Sequence, residues 1–329
     1  MKILIVGLGS MGKRRIRNLK QLKVGEITGF DINESRRKEA EGKYGIQTLG
    51  DLKDIKMFDA LVVSTPPDKH NEYVKLAIRN KKPVFVEASV ILEGLEELDK
   101  LAKKEKVLVT PSCTFRFHPA IKKITAIAQS GRYGKVTSFN YYLGQYLPDW
   151  HPWENIKNFY VGKKETGGAR EMVAFELTWL TGILGFPKNV SGFYGKTLNM
   201  GVDIDDTYVI SLDFGKILGN ITIDVVARYA LRSLILNMEK GQILWRWDEN
   251  KIKLYEADNK CWREIQYLGG QTAVGYNKNI IEDMYVEEMK VFVGAIKGKK
   301  EFPNSLKEDI EVLKILNDAE KSNDKKHKN

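Results

Sequence analysis

Through the first third of the chain, short apolar runs alternate with longer amphipathic ones. "KILIV" (2–6), "EITGF" (26–30), "DALVVS" (59–64), "PVFVE" (83–87) and "VLVT" (107–110) are compact and rich in β-branched residues. Between them lie stretches at 11–22, 33–43, 69–80 and 94–105, each rich in Lys, Arg, Glu and Leu. Strands and helices alternating at these lengths predict βαβ units and a parallel sheet covered on both faces.

The texture changes after about residue 116. "PAIKKITAIAQS" predicts a helix, 135–147 a strand, and 169–184 another helix, with a Pro-, Trp- and Lys-rich loop before the last. From 188 to 256 come the alternating segments "NVSGFYGKT", "DDTYVISLDF", "LGNITIDVVAR", "SLILNMEK", "GQILWRW" and "KIKLYEA", separated by turn signals such as "DFGK" and "EKGQ". That pattern predicts a meander, largely antiparallel, with one face on helices. Two helices, near 277–298 and 305–321, close the chain. The expected architecture is α/β. A domain built on the parallel sheet spans 1–116, and an α+β domain with a largely antiparallel open sheet spans 117–329.

Composition narrows the class. At 329 residues, 43% hydrophobic and 29% charged, the chain has ordinary globular character and enough length for two cores. No apolar run approaches the roughly 18–20 residues of a membrane span, so no membrane partner is expected. "MKILIVGLGS" reads as a first strand rather than a signal peptide, because its apolar core is short, glycine-broken and without a small-residue cleavage site. Cys113 and Cys261 have no disulfide or metal spacing, which fits the cytoplasm and no metal. The acids of "GVDIDDTY" (Asp203, Asp205, Asp206) read as a solvated turn. The formal charge of +10 comes from scattered lysines mixed with acids, not from a clustered stripe, so nucleic acid is not the expected partner. An anion-attracting groove remains compatible with it.

"GLGSMG" (7–12) is a G-x-G-x-x-G run placed between a predicted strand and a predicted helix. Gly7 allows the tight turn, Gly9 the close approach of a pyrophosphate, and Gly12 the close helix–strand contact. Ser10 and Met11 open the helix, whose N-terminal N–H groups face the phosphates. Asp31 ends the second strand, where a carboxylate accepts hydrogen bonds from the adenosine ribose and repels a 2′-phosphate. NAD is therefore favoured, with Arg36 and Arg37 leaving NADP open. Ser64, Thr65, Pro66, Pro67 and His70, in "STPPDKH", follow the third predicted strand at the edge where such a cofactor crosses, so 1–116 is expected to be a Rossmann dinucleotide-binding domain.

The glycine fingerprint, Asp31, "STPPDKHNEY", "VFVE", "FRFHP", the late "GG" helix and "MYVEEMKVFVGAIKGKKEFPNSLKEDIEVLKIL" together resemble the glucose-fructose oxidoreductase / inositol dehydrogenase / MocA (Gfo/Idh/MocA) family over almost the whole chain. More loosely, "YLPDWHPWENIKNFY" resembles members associated with sugars of surface polysaccharides. The resemblance implies NAD(P)-dependent hydride transfer on a sugar, aminosugar or nucleotide-sugar-like substrate. It also implies a homodimer or homotetramer formed through the C-terminal sheet.

The chain departs from the family at its chemistry. Where members carry Glu-Lys-Pro, it reads Glu87-Ala88-Ser89, and Ala88 can neither donate nor accept a proton. Aligned on Gly167-Gly168, Met172 and Glu176 stand where the family's Asp and His stand. Met172, Glu176, Trp179 and Ile183 share one helical stripe. A carboxylate there is either paired, with Arg170 or Arg116, or raised in pKa and able to act as general acid or base. Glu176 and His151 are thus the catalytic candidates, and either role for Glu176 turns it toward the cofactor cleft. Glu171 lies beside the stripe. Glu87, Ala88 and Arg116 complete the cofactor-side set, and Arg116 is equally a hinge residue or an anion fork. His118 reads as a cap residue. Trp150 and Trp153 read as stacking or core residues, and Lys163 and Lys164 as cations for an anionic substrate. Two other functions fit: a redox-neutral NAD-using enzyme that oxidises its substrate transiently to permit epimerisation or elimination, and a non-catalytic NAD-binding sensor.

Overall fold

The computed structural model describes residues 1–54, 57–150, 155–158, 160–270, 272 and 280–326. By the packing within each, the chain forms two compact units: Met1–Thr114 with Asp283–Ile310, and Phe115–Glu282 with Glu311 onward.

The first unit begins β1 (Lys2–Val6), α1 (Ser10–Gln21), β2 (Glu26–Phe30), α2 (Glu34–Tyr44) and β3 (Gln47–Leu49). It continues with β4 (Ala60–Val63), α3 (His70–Arg79), β5 (Val84–Val86), α4 (Leu95–Glu105) and β6 (Val109–Pro111). The strands form one sheet in the order β3-β2-β1-β4-β5-β6, every pair parallel. Strand order reverses between β1 and β4, and a crevice at their carboxyl ends is the position at which such sheets take a ligand. All four residues of β4 are buried, as expected of a strand covered on both faces. The three-residue β3 was not foreseen, because "QTL" is too short to show a period.

The second unit holds α5 (Pro119–Gln129), β7 (Val136–Tyr146), α6 (Gly168–Leu184), β8 (Asn189–Gly195), β9 (Thr207–Asp213) and β10 (Leu218–Asp224). After these come β11 (Val226–Met238), β12 (Gly241–Arg246), β13 (Lys251–Glu256) and β14 (Cys261–Gln266). The sheet order is β14-β13-β12-β11-β7-β10-β9-β8. The simple meander expected from the sequence is therefore interrupted. The earlier strand β7 inserts between β10 and β11, parallel to the first and antiparallel to the second. β11 is one strand across the expected break, with a register shift between Val226 and Leu231. Phe139, Tyr141 and Leu143 of β7 face inward by strict alternation, toward α6, most of whose residues are buried.

The closing helices are α7 (Glu282–Ile296) and α8 (Leu306–Lys326). The second expected domain ran unbroken to the end of the chain. Instead α7, from Asp283, belongs to the first unit, where Met289 and Phe292 are fully buried in the core with Ile5, Ile16 and Phe85.

Candidate functional site

The glycine loop after β1 carries three different constraints. Gly7 has φ +89°, and a Cβ there would lie 2.5 Å from the Ser64 carbonyl oxygen. A Cβ on Gly12 would lie 1.8 Å from the Gly7 carbonyl oxygen, so only hydrogen fits where α1 crosses the loop. Around Gly9 no atom lies within 4 Å of an added Cβ. The protein itself does not demand glycine at that position, whereas a phosphate brought against the backbone would. Gly9 caps α1 without a side-chain bond, and the first turn from Ser10 and Met11 contains no acid, so the positive helix end is left bare. These residues fit a dinucleotide pyrophosphate.

Asp31 sits beside that loop, buried, with Oδ2 accepting from the Leu8 N–H at 2.8 Å and Oδ1 from the Asn33 N–H at 2.8 Å. One carboxylate thus fixes the glycine loop to the end of β2. Arg36 Nη1 is 3.8 Å from Asp31 Oδ2, while Arg37 Nη1 donates to the Asp31 and Ile32 carbonyls.

At the end of β4, Lys69 N–H closes a turn on the Pro66 carbonyl, and Pro67 begins a short 3₁₀ turn. Buried His70 donates from Nε2 to the Thr65 carbonyl at 2.9 Å, and burial lowers its pKa, so the ring is neutral. Ser64 Oγ donates to Glu87 Oε1 at 3.3 Å. Glu87 is further gripped by Arg15, Nε to Oε1 at 2.7 Å and Nη2 to Oε2 at 2.8 Å. Arg15 Nη1 reaches Glu288 of α7 at 2.9 Å. Glu288 also accepts from Ser112 Oγ, the Cys113 N–H and Thr114 Oγ1. Burial opposes the charge on Arg15, but Glu87 and Glu288 outweigh it and raise its pKa. Burial also raises that of Glu288, while Arg15 pulls it back down. Ala88 follows this lock directly and is partly buried.

In the second unit, Glu176 is fully buried and takes four hydrogen bonds. Arg232 Nε and Nη2 reach Oε1 at 2.9 and 2.7 Å, and Tyr141 Oη and Trp179 Nε1 reach Oε2 at 2.6 and 2.7 Å. The carboxylate is paired, as one of the two readings had it, but with neither expected arginine. Arg170 binds Glu320 of α8 at 2.8 Å, and Arg116 Nε donates to the Thr178 carbonyl at 2.8 Å. Both Glu176 oxygens are engaged inside the core, so the geometry is that of a structural pair rather than of a group free to meet substrate.

Other candidates fall as follows. Met172 Sδ accepts from Gln145 Nε2 at 3.1 Å. His118 caps α5, accepting the Ala120 N–H at Nδ1, and burial, with Arg232 adding to it, lowers its pKa to about 3. Lys163 and Lys164 are exposed, Lys164 lying 3.7 Å from Asp205. Asp206, far from being solvated, is buried and accepts from the Thr197 and Leu198 N–H groups and two threonine hydroxyls. Trp150 is partly buried, and His151 and Trp153 lie outside the described residues. Among the described residues no group of three or more His, Cys, Asp or Glu is placed to hold a metal ion.

Glu171, set aside in the sequence as lying off the stripe, is the least expected of these groups. Its Oε1 accepts from Tyr160 Oη at 2.8 Å, while its buried Oε2 has no hydrogen-bond partner. Burial pushes its pKa up to about 7, against the smaller opposing effect of the Tyr160 bond.

Residues 1–112 match the Gfo/Idh/MocA oxidoreductase family with its NAD-binding Rossmann fold, and residues 121–244 match the Gfo/Idh/MocA C-terminal domain. Together these cover more than half of the chain, which belongs to this family and carries its NAD-binding Rossmann domain. An uncharacterized oxidoreductase of Bacillus subtilis (strain 168), YrbE, is 31% identical over 146 residues, 41% of this chain and 43% of that protein. The matched segments span between 38% and 53% of the lengths of the curated relatives. Levoglucosan dehydrogenase in complex with NADH shares the fold at a TM-score of 0.86 and 16% identity, over 99% of this chain and 97% of that one. So does the WlbA dehydrogenase of Bordetella pertussis in complex with NADH and UDP-GlcNAcA, at a TM-score of 0.82 and 17% identity, over 99% and 96% of the two chains.

Arg15, Glu288 and Arg232 escaped the sequence reading. "KRRIRN" looks like a solvated helix face, yet Arg14 and Arg15 are buried. The usable signal was an acid, Glu288, one residue before buried Met289 and four before buried Phe292 on the apolar face of α7. A buried acid is costly unless it is paired or hydrogen-bonded, so it points to a buried partner.

Proposed function

We propose that this chain is an NAD-dependent oxidoreductase of the cytoplasm acting on a sugar, aminosugar or nucleotide sugar. The observation that carries it is the loop at Gly9: open space at its α-carbon, an uncapped and acid-free helix end, and a buried carboxylate, Asp31, tied to the same loop. Gly7, Gly9, Ser10 and Gly12 would hold the pyrophosphate and Asp31 the adenosine ribose. Bound there, NAD supplies a two-electron hydride acceptor. Asp31 also supports NAD over NADP, since a 2′-phosphate would meet a buried negative charge.

The substrate class draws its support from structural neighbours that bind or oxidise sugars, levoglucosan dehydrogenase and WlbA with UDP-GlcNAcA among them. Lys163 and Lys164 are exposed cations suited to an anionic sugar. No described helix is long and apolar enough to cross a membrane. Phe193 and Val209 are directly paired on the outer face of the second sheet at 55% and 39% exposure, an apolar face suited to a second copy of the chain.

The test is a panel of sugars, aminosugars and sugar nucleotides with NAD, followed by NADH absorbance. Substrate-dependent NADH formation supports the reading. Silence across the panel with NAD still bound counts against it. NAD(H) that survives purification and cycles without net NADH would favour the redox-neutral reading. Light scattering checks the oligomer, and a monomer overturns that part.

A further inference from the structure

Glu87 is tied to the dinucleotide loop through Ser64. The Ser64 hydroxyl donates to Glu87 Oε1 at 3.3 Å, and the carbonyl of the same serine packs on Gly7, 2.5 Å from where a Cβ would stand. Glu87 directly follows β5, and its side chain is 14% exposed at the carboxyl edge of the sheet. Behind it, the side chains of Arg15 and Glu288 are completely buried. All of these residues belong to the first unit.

Charge within this cluster does not cancel, because two carboxylates share one guanidinium. Burial opposes ionisation of Glu288, while Arg15, Thr114 Oγ1 and the Cys113 N–H work the other way. Every group bonded to Glu288, Ser112 Oγ included, donates to it, which is the environment of a carboxylate. His70, whose ring feels Glu87, is neutral because burial lowers its pKa. Asp68 and Lys69 are exposed and opposite in sign, and Ala88, next to Glu87, adds no charge. One negative charge is therefore in excess, in surroundings where it acts more strongly than in water.

Topology says where that charge acts. A dinucleotide lies across the point at which strand order reverses, one mononucleotide to each side. Asp31, after β2, takes the adenosine side, which leaves β4 and β5 for the nicotinamide side. The two redox forms of the cofactor differ in that ring alone: it is a cation in NAD+ and neutral in NADH, on the same pyrophosphate and adenosine. We propose that the Glu87–Arg15–Glu288 cluster makes this site select the oxidised cofactor, with Glu87 and Glu288 as the residues that set NAD+ above NADH. The inference rests on the placement of NAD at the Gly9 loop, and on no particular substrate. The excess charge attracts a pyridinium ring and gives a neutral ring nothing. Charge placed beside a redox cofactor also tunes its potential. Each tenfold of preference for the oxidised form lowers the potential of the bound two-electron couple by about 30 mV.

The experiment is calorimetric titration of the full chain with NAD+ and with NADH, for the wild type, Glu288→Gln and Ala88→Lys. The readout is the ratio of the two dissociation constants. Damage to the loop or to folding weakens both forms alike and leaves that ratio where it was. The wild type should bind NAD+ the more tightly. Glu288→Gln removes one charge with little change of shape and should shift the ratio toward NADH by roughly tenfold, as expected of a charge acting in a partly buried site. Ala88→Lys adds a cation beside Glu87 and should shift the ratio the same way, by at least as much. It interrupts none of the cluster's hydrogen bonds, so it decides the matter if Glu288→Gln fails to fold. Tighter binding of NADH by the wild type overturns the proposal, and so does an unchanged ratio in the folded variants. Binding of neither form would instead sink the placement of the cofactor, and the selection with it.

Discussion

Arg15 and Glu87 meet in a two-pronged ion pair, Nε to Oε1 at 2.7 Å and Nη2 to Oε2 at 2.8 Å, with the guanidinium completely buried. The same guanidinium meets Glu288 at 2.9 Å, so one cation serves two carboxylates, one directly after β5 and one on α7. It also lies over the Phe85 ring, 4.6 Å from the centroid. Arg15→Met should destabilise the first unit by about 3–5 kcal/mol, because it leaves buried carboxylates without their partner. Arg15→Lys should recover only part of the loss, since an ammonium cannot grip Glu87 with two parallel bonds. Urea unfolding is the measurement. An unchanged midpoint in Arg15→Met would show that the lock contributes nothing.

Gly9 and Gly12 separate ligand from fold within one loop. Gly9→Ala meets no protein atom within 4 Å, so the melting temperature of the free protein should stay near wild type while NAD affinity falls. Gly12→Ala drives a methyl to 1.8 Å from the Gly7 carbonyl and should lower the melting temperature before any ligand is added. Calorimetric titration with NAD, run beside thermal melts, tests both. Equal destabilisation by the two variants would break the argument.

Asp31 bears on cofactor choice. Asp31→Asn removes the negative charge while leaving an oxygen to accept the Leu8 N–H. NAD binding should weaken by roughly 10-fold or more, as expected for losing a charged hydrogen-bond acceptor. NADP should lose less or gain, with Arg36 already 3.8 Å from the carboxylate and Arg37 behind it. Competition between the two cofactors reads this out. An unchanged preference would place the discrimination elsewhere.

The sequence disclosed most where local pattern and local geometry coincide. The Rossmann half was legible because its strands are continuous apolar runs, and because glycines placed at 7, 9 and 12 between a strand and a helix have few other uses. The insertion of β7 between β10 and β11 was not, since neighbourhood in a sheet depends on pairings far apart in sequence. Buried charge was the other blind spot. Arg15, Arg232 and Glu288 look like surface residues until partners 56 or more positions away come to them. Glu171 and Glu176 show the same limit. Spacing put both on one helix, but only the fold distinguishes four donors at one from an unpartnered oxygen at the other.

His118 predicts an acid sensitivity. It caps α5 through Nδ1, its ring stacks on Phe115 with centroids 5.0 Å apart, and burial together with Arg232 lowers its pKa from 6.5 to about 3. The folded state refuses a proton that the unfolded chain accepts once the pH drops below about 6.5. The stabilising contribution is therefore complete above pH 6.5 and is lost progressively as pH falls toward 3. At pH 5 the loss from this group should be about 2 kcal/mol, at roughly 1.4 kcal/mol per pH unit. His118→Asn keeps an oxygen for the cap and removes the titration. Its stability at pH 7.5 should be lower through the lost ring stacking. Between pH 7.5 and 5 it should then lose about 2 kcal/mol less than the wild type. Urea unfolding at the two pH values decides it, and parallel pH profiles would mean that His118 is protonated in the folded protein after all.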